Sequence, residues 1–365
     1  MGFRAARLPI LRLWLAGLGC ASTSCLGGVP QGDPRALERI EALEQRKLDA
    51  GTPLPAVDPL ELSSEMRQFA AQFSRKSHAP AERLRALHDA LFDPAVRGIV
   101  HAEGRSRTAS EVFAAGSGDC LSLANLFIAL AREIGLDARY QEVYLQPSWT
   151  ERADLWVLQR HVNVAGRLGD GVEYSVDFLD LTGSEVAPAR IVSDRRALAQ
   201  HYNNQAVESL TQGELGPALA RFKRALRIEP GLEFAWSNLG AAYRRAGEYE
   251  AAEAAYLESF ALDPQNESTA GNLAALYQRV GRTEDAARFA ALAERHRLRN
   301  PFYREHRAEQ ALAAGDAALA VREYRRAVAL APDQLRFRAG LAEAERLRDA
   351  AEHGRAEPLP DASAP

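Results

Sequence analysis

The sequence predicts a mixed α+β domain followed by an all-α solenoid of helical repeats, on three observations. Glycines recur at a fixed period in the C-terminal half: Gly213, Gly247, Gly281 and Gly315 stand 34 residues apart. Ahead of them, 36–115 and 120–134 place apolar residues three or four apart, the spacing of one helix face. Between these blocks, 138–145, 156–168 and 172–181 alternate apolar and polar residues as half-buried strands do.

The chain's 365 residues are enough for two or three domains, one of which can bury a full core. At 47% hydrophobic and 26% charged, the composition excludes a largely disordered protein. Forty-five basic against 49 acidic residues give −4 without long single-sign runs, so no nucleic-acid footprint is present. Three cysteines exclude a disulfide scaffold, and no Cys/His cluster has zinc spacing. The sequence contains no HExxH, no P-loop, no GxGxxG between a strand and a helix, and no GxSxG, so no cofactor or metal is expected.

Residues 1–25 read as an export signal. Arg4, Arg7 and Arg12 form a basic start, and Leu13 to Leu18 an apolar run too short and interrupted for a permanent membrane helix. An amphipathic N-terminal helix is the alternative. Leu18-Gly19-Cys20 resembles a bacterial lipoprotein cleavage box, with Gly17 where Leu is usual. The resemblance implies lipidation of Cys20; Cys25, after Ser22-Thr23-Ser24, is a second candidate. Ala21 in place of Asp after that Cys implies an outer-membrane anchor facing the periplasm. Residues 26–59 follow as a tether with an N-terminal helix, its start at 27–35 broken by Gly and Pro.

The next helices carry Leu84, Leu87 and Leu91 towards a core. Thr108 or Ser110 can cap a short helix. After the turn Gly116-Ser117-Gly118, Asp119-Cys120 opens a long helix whose Leu123, Leu126, Phe127, Leu130 and Ile134 face one way, and Gly135 ends it. Cys120 thus sits in a first turn, where unpaired N–H groups and the helix dipole favour the nucleophilic thiolate. A buried small hydrophobe is the alternative for a free Cys. In an oxidising periplasm, however, a Cys left unpaired in the folded part points to a reactive role.

Two strands joined by a Gly-rich turn follow. The first carries His161, in alternation with Val162, Asn163 and Val164, and the second Asp177. Cys, His and a carboxylate to orient the imidazole are what thiol acyl transfer requires. With T-A-x-E-x-F at 108–113, GDCLSLANLFIALAREIGLDARY at 118–140, the strand His and Y-x-V-D at 174–177, the chain resembles the transglutaminase-like superfamily within the papain-like cysteine proteases. The resemblance implies a papain-like fold over 60–184, with Cys120 as nucleophile, His161 as base and Asp177 as orienting acid. Two departures touch the pocket: Asn163 stands where an aromatic two residues after the His is usual, and Tyr174 is near the place of a missing Trp. Asp180 is a competing carboxylate on the other face of its strand. His101 reads as a surface loop residue, and His78 and His88 are scattered.

The 34-residue unit carries Ala218, Ala252, Ala286 and Ala320 in one register and Phe222, Tyr256 and Tyr324 in another, with Pro230, Pro264 and Pro332 at its ends. Its fullest copy runs Trp236-x2-Leu239-Gly240-x2-Tyr243. This resembles the tetratricopeptide repeat. Small residues at Ala206, Gly240, Ala274 and Ala308 let paired helices approach, Gly ends the first helix and Pro stops the second. About four copies and a closing helix span 199–352; 185–198 reads as a linker and 353–365 as a disordered tail. In the third copy Ala290 and Leu298 replace the aromatic and the proline.

The function expected is an envelope-anchored thiol enzyme acting on amide or peptide bonds, hydrolysis favoured over transamidation, whose array binds a protein or peptide. The other class is a catalytically silent domain with repeats, serving as a binding scaffold or assembly factor.

Overall fold

Asp119 and Ser193, two polar caps at helix starts, set the frame of the part that holds the site. The protein is described from a computed structural model at residues 10–14, 32–44, 54–76, 79–104, 106–143, 150–152, 155–157, 161–169, 171–178, 189–332 and 334–353. Cys20, Cys25, His78, Asp180 and residues 354–365 lie outside these. The chain forms two compact units, 1–264 with 275–282, and 265–274 with 283–365.

In the first unit, strand β1 (Ile10–Trp14) precedes helices α1 (Ala36–Glu41), α2 (Ser64–Lys76) and α3 (Pro80–Phe92). Next come β2 (Val100–His101), α4 (Ala109–Ala115), β3 (Ser117–Gly118) and α5 (Cys120–Glu133). Thr108 is the residue that caps α4: its hydroxyl accepts from the Glu111 N–H, and the Glu111 carboxylate accepts from the Thr108 N–H. Asp119 caps α5, accepting from the Ser122 N–H at 2.8 Å. Leu121 through Ala131 are all buried, so α5 is a core helix on every side, not only along its apolar stripe.

Strands β4 (Arg139–Val143), β5 (Thr150–Arg152), β6 (Leu155–Val157), β7 (His161–Arg167), β8 (Glu173–Asp177) and β9 (Ala189–Val192) follow. The main sheet runs β1-β8-β7-β4-β9, every neighbouring pair antiparallel. β5 and β6 form a separate hairpin, and β2 pairs with β3 in parallel. Tyr140, Val162, Val164 and Val176 on the sheet pack into one core with Leu123, Phe127 and Leu130 of α5 and Leu84, Leu87 and Leu91 of α3. Ile10–Trp14, part of the segment read as an export signal, is the edge strand beside β8.

One sequence expectation needs correction here. Residues 185–198 are not a linker over their described part, because β9 pairs with β4 and α6 (Asp194–Thr211) starts at once under a Ser193 cap. Arg196 on α6 is 2% exposed and bonds Glu142 of β4 at 2.7 Å, with Arg190 of β9 on the same carboxylate. A charge cluster this deep holds only when each member is paired. Helix α1, which follows the 27–35 stretch, packs against the array: Leu37 and Ile40 are buried, and Arg227 reaches Glu41 at 2.6 Å.

Helices α7 (Leu215–Ile228), α8 (Glu233–Ala246), α9 (Tyr249–Leu262), α10 (Glu267–Arg279), α11 (Thr283–Arg297), α12 (Pro301–Ala313), α13 (Ala317–Leu330) and α14 (Leu335–His353) complete the solenoid. The four periodic glycines share φ of 79° to 82°, the left-handed value that ends the first helix of each hairpin. At Gly240 a Cβ would stand 2.7 Å from the Tyr256 ring, which is why this crossing takes no side chain. The third hairpin's displaced proline is Pro301, opening α12 behind an Asn300 cap. In the second unit α14 closes the array, seating Tyr324 on Gly340.

Candidate functional site

Cys120 is the first residue of α5 and is a free, half-exposed thiol. The unpaired N–H groups and positive dipole end of a long buried helix lie at this sulfur. The site's other side comes from the sheet. His161 opens β7 and Asp177 closes β8, and they are 1% and 3% exposed. The register pairs Val164 with Val176, so continuing it sets Asn163 opposite Asp177 and His161 two residues away on the same face.

His161 Nε2 lies 2.7 Å from Asp177 Oδ1. Nδ1, the other ring nitrogen, is buried and has no hydrogen-bond partner among the described residues. Burial works against a charge on this ring, but the bond to Asp177 and the neighbouring Cys120 prevail, and the His161 pKa is pushed up to about 9. The structure thus brings Cys120, His161 and Asp177 together.

Asn163, a departure from the expected aromatic, belongs to the same cluster: its Nδ2 donates to Asp177 Oδ2 at 3.1 Å. The carboxylate is held through both oxygens, which fixes its plane against the imidazole. Alternation of His161 and Asn163 on one strand face was the sequence signal for this.

His101, read as a loop residue, is instead in β2 opposite Gly118, two residues before Cys120. Gly118 tolerates no side chain, since a Cβ would stand 2.7 Å from the Ser122 Cβ. Burial lowers the His101 pKa; Asp119 pulls it up and His161 pushes it down. Among the described residues no group of three or more His, Cys, Asp or Glu side chains is placed to hold a metal ion. Among them, too, no helix is long and apolar enough to cross a membrane.

A family model of the transglutaminase-like superfamily matches residues 67–208, and one of the tetratricopeptide repeat matches 234–266. The chain carries a transglutaminase-like domain followed by tetratricopeptide repeats. A curated relative, the chloroplastic tetratricopeptide repeat domain-containing protein PYG7 of Arabidopsis thaliana, is 38% identical over 55 residues. That match takes in 15% of this chain and 18% of the relative's length. Among solved structures, Pseudomonas aeruginosa PilF is similar at 18% identity over 46% of this chain and 80% of its own, with a TM-score of 0.28. MamA is similar at 17% identity over 42% and 86%, with a TM-score of 0.26. A chain of the CopN-Scc3 complex is similar at 17% over 30% and 65%, with a TM-score of 0.28.

Proposed function

We propose that the transglutaminase-like domain is a thiol enzyme that cleaves amide or peptide bonds through Cys120, His161 and Asp177. The observation that carries this is the enclosed His161–Asp177 bond, with an imidazole held protonated beside a thiol at a helix mouth. The Cys120 thiolate attacks the carbonyl carbon, and the oxygen takes the negative charge, accepting from the Cys120 N–H. His161 gives its proton to the leaving nitrogen, so an amine departs and a thioester remains. Neutral His161 then takes a proton from water, whose oxygen attacks the thioester. The acid leaves, the sulfur departs as the thiolate, and the proton stays on His161, which restores the starting pair. Hydrolysis is favoured over transamidation, because water is abundant. His101, on β2 opposite Gly118, is read as a second donor for the oxyanion.

Tetratricopeptide repeats generally mediate protein–protein contacts, and this array is read as binding a protein or peptide substrate or partner. The chain is read as an outer-membrane lipoprotein anchored at Cys20 on the periplasmic side. Maturation there would remove β1 and leave β8, β7, β4 and β9 as a four-stranded sheet. Mass spectrometry of the N-terminus of the envelope-bound protein tests the anchor; an intact Met1 start would overturn it.

The activity is tested with p-nitrophenyl acetate and iodoacetamide, full-length protein beside Cys120→Ala. The expected results are a burst of p-nitrophenolate with one acetyl group on Cys120, and alkylation of Cys120 well below the free-thiol pKa of about 8.5. No burst and the titration of an ordinary thiol would leave a binding scaffold.

A further inference from the structure

We infer that Asn204, on the first helix of the repeat array, is a positioning residue for Cys120, acting through Ser106 and the Asp119 cap. The inference rests on the proposed thiol chemistry and adds that the array belongs to the apparatus that sustains the thiolate.

The cap of α5 poses a problem. It is a carboxylate one residue from the nucleophile, and a bare carboxylate there would oppose a neighbouring thiolate by like charge. Both of its oxygens are taken. Oδ1 accepts from the Ser122 N–H at 2.8 Å and from the Ser122 hydroxyl; Oδ2 accepts from the Ser106 hydroxyl at 2.6 Å. Ser106 is fully buried, so protein groups alone decide where its proton points. Its oxygen accepts from Asn204 Nδ2 at 2.9 Å, and a donor on that oxygen strengthens the bond the hydroxyl gives to Asp119. Gln205, next on α6, directs Nε2 to the Ser106 carbonyl at 3.4 Å.

The other end of the relay is rigid. Ser122 Oγ accepts from the Arg107 N–H at 2.7 Å, Asn125 donates to the Arg107 carbonyl at 2.9 Å, and Tyr140 donates to Asn125 at 2.7 Å. α6 is fixed to the sheet by Arg196 and Glu142. Asn204 therefore arrives at Ser106 by the placement of a repeat helix, and the charge beside Cys120 is spread over groups from α5, the 106–107 loop and α6. The titratable groups facing this region are His101 on β2, Glu103 after it, Arg107, His161 on β7 and Asp177 on β8, with His201 on α6 bonded to Gln205. None of them is altered by changing Asn204 or Ser106.

The test follows iodoacetamide labelling of Cys120 in the full chain from pH 5 to 9, assigned by peptide mass spectrometry, beside circular dichroism. In Asn204→Ala and Ser106→Ala the acid-side midpoint of labelling is expected to rise by about half to one pH unit, slowing labelling at pH 6 about three- to tenfold. Ser106→Thr, which keeps the hydroxyl, should restore the wild-type midpoint. A purely structural role would lower thermal stability without moving the midpoint. An unmoved midpoint in a folded Asn204→Ala protein overturns the inference, and Ser106→Ala reads the same relay if Asn204→Ala does not fold. An ordinary-thiol titration in the wild type would instead sink the enzymatic reading; a normal wild-type profile with unmoved variants sinks only the relay.

Discussion

His161 and Asp177 are 1% and 3% exposed and bonded to each other, whereas Cys120, on the opposite side of the same site, is a half-exposed thiol. The strand side is sealed and paired before any ligand arrives. The helix side leaves its sulfur partly exposed. Order on the sealed side comes from side chains gripping one another; at the helix side it comes from the N-terminal N–H groups of α5 and the Asp119 cap. Damage to the strand pair should therefore change the protonation state of the ring, and damage at the helix mouth should act on the sulfur and on how well a developing charge is met.

The largest effect is expected from Asp177→Asn, which leaves the imidazole without its carboxylate. Acylation by p-nitrophenyl acetate should fall by about 10⁴, the size seen when an orienting carboxylate is lost elsewhere. A drop under tenfold would mean that the sealed pair is structural. Next comes His101→Ala, expected to slow acylation by about 10²-fold as a lost oxyanion donor does. Iodoacetamide alkylation forms no oxyanion and should be unchanged; equal loss in both assays would place His101 with the thiolate instead. Asn163→Ala removes one bond to a charged carboxylate, costing about 1.5 kcal/mol and about tenfold in acylation.

The smallest effect is on stability. The folded pKa of His161, about 9, lies above its unfolded value near 6.5. The stabilisation is therefore fully present below about pH 6.5 and is lost as pH rises through about 9. Urea unfolding of the wild type should show a loss of on the order of 1 kcal/mol or more across that window, and Asp177→Asn should flatten it. Identical slopes in the two proteins would break the contrast between the sealed and the open side.

The sequence reading succeeded where chemistry is local. Asp119 before Cys120, Gly135 after the helix, and Gly at each repeat turn announce helix ends by their own backbone preferences, and the structure has all of them. The two strands of the His–Asp hairpin were visible by alternation, and their register then brings His161 to Asp177. What escaped depends on partners far along the chain. β9 is four residues long, its register with β4 joins positions about fifty apart, and nothing near Ile191 reveals it. Arg196 looks like one more surface arginine until Glu142 is folded against it. His101 looked like loop because a two-residue parallel bridge has no periodicity to read. Asn163 was seen, but as a missing aromatic; its use appears only with Asp177 across the ladder.

The first repeat helix carries a history as well as a structure. An array attached by a loose hinge can be traded between genes at little cost, whereas one whose opening helix is riveted into a neighbouring sheet by Arg196 and Glu142 cannot. Any chimera that cuts ahead of Ser193 would strand a guanidinium and a carboxylate in apolar surroundings, a loss of about 3–5 kcal/mol when one partner goes. The tolerant junction for recombination is further on, at the Gly213 turn, so α6 should be inherited with the transglutaminase-like domain and the later hairpins free to diverge.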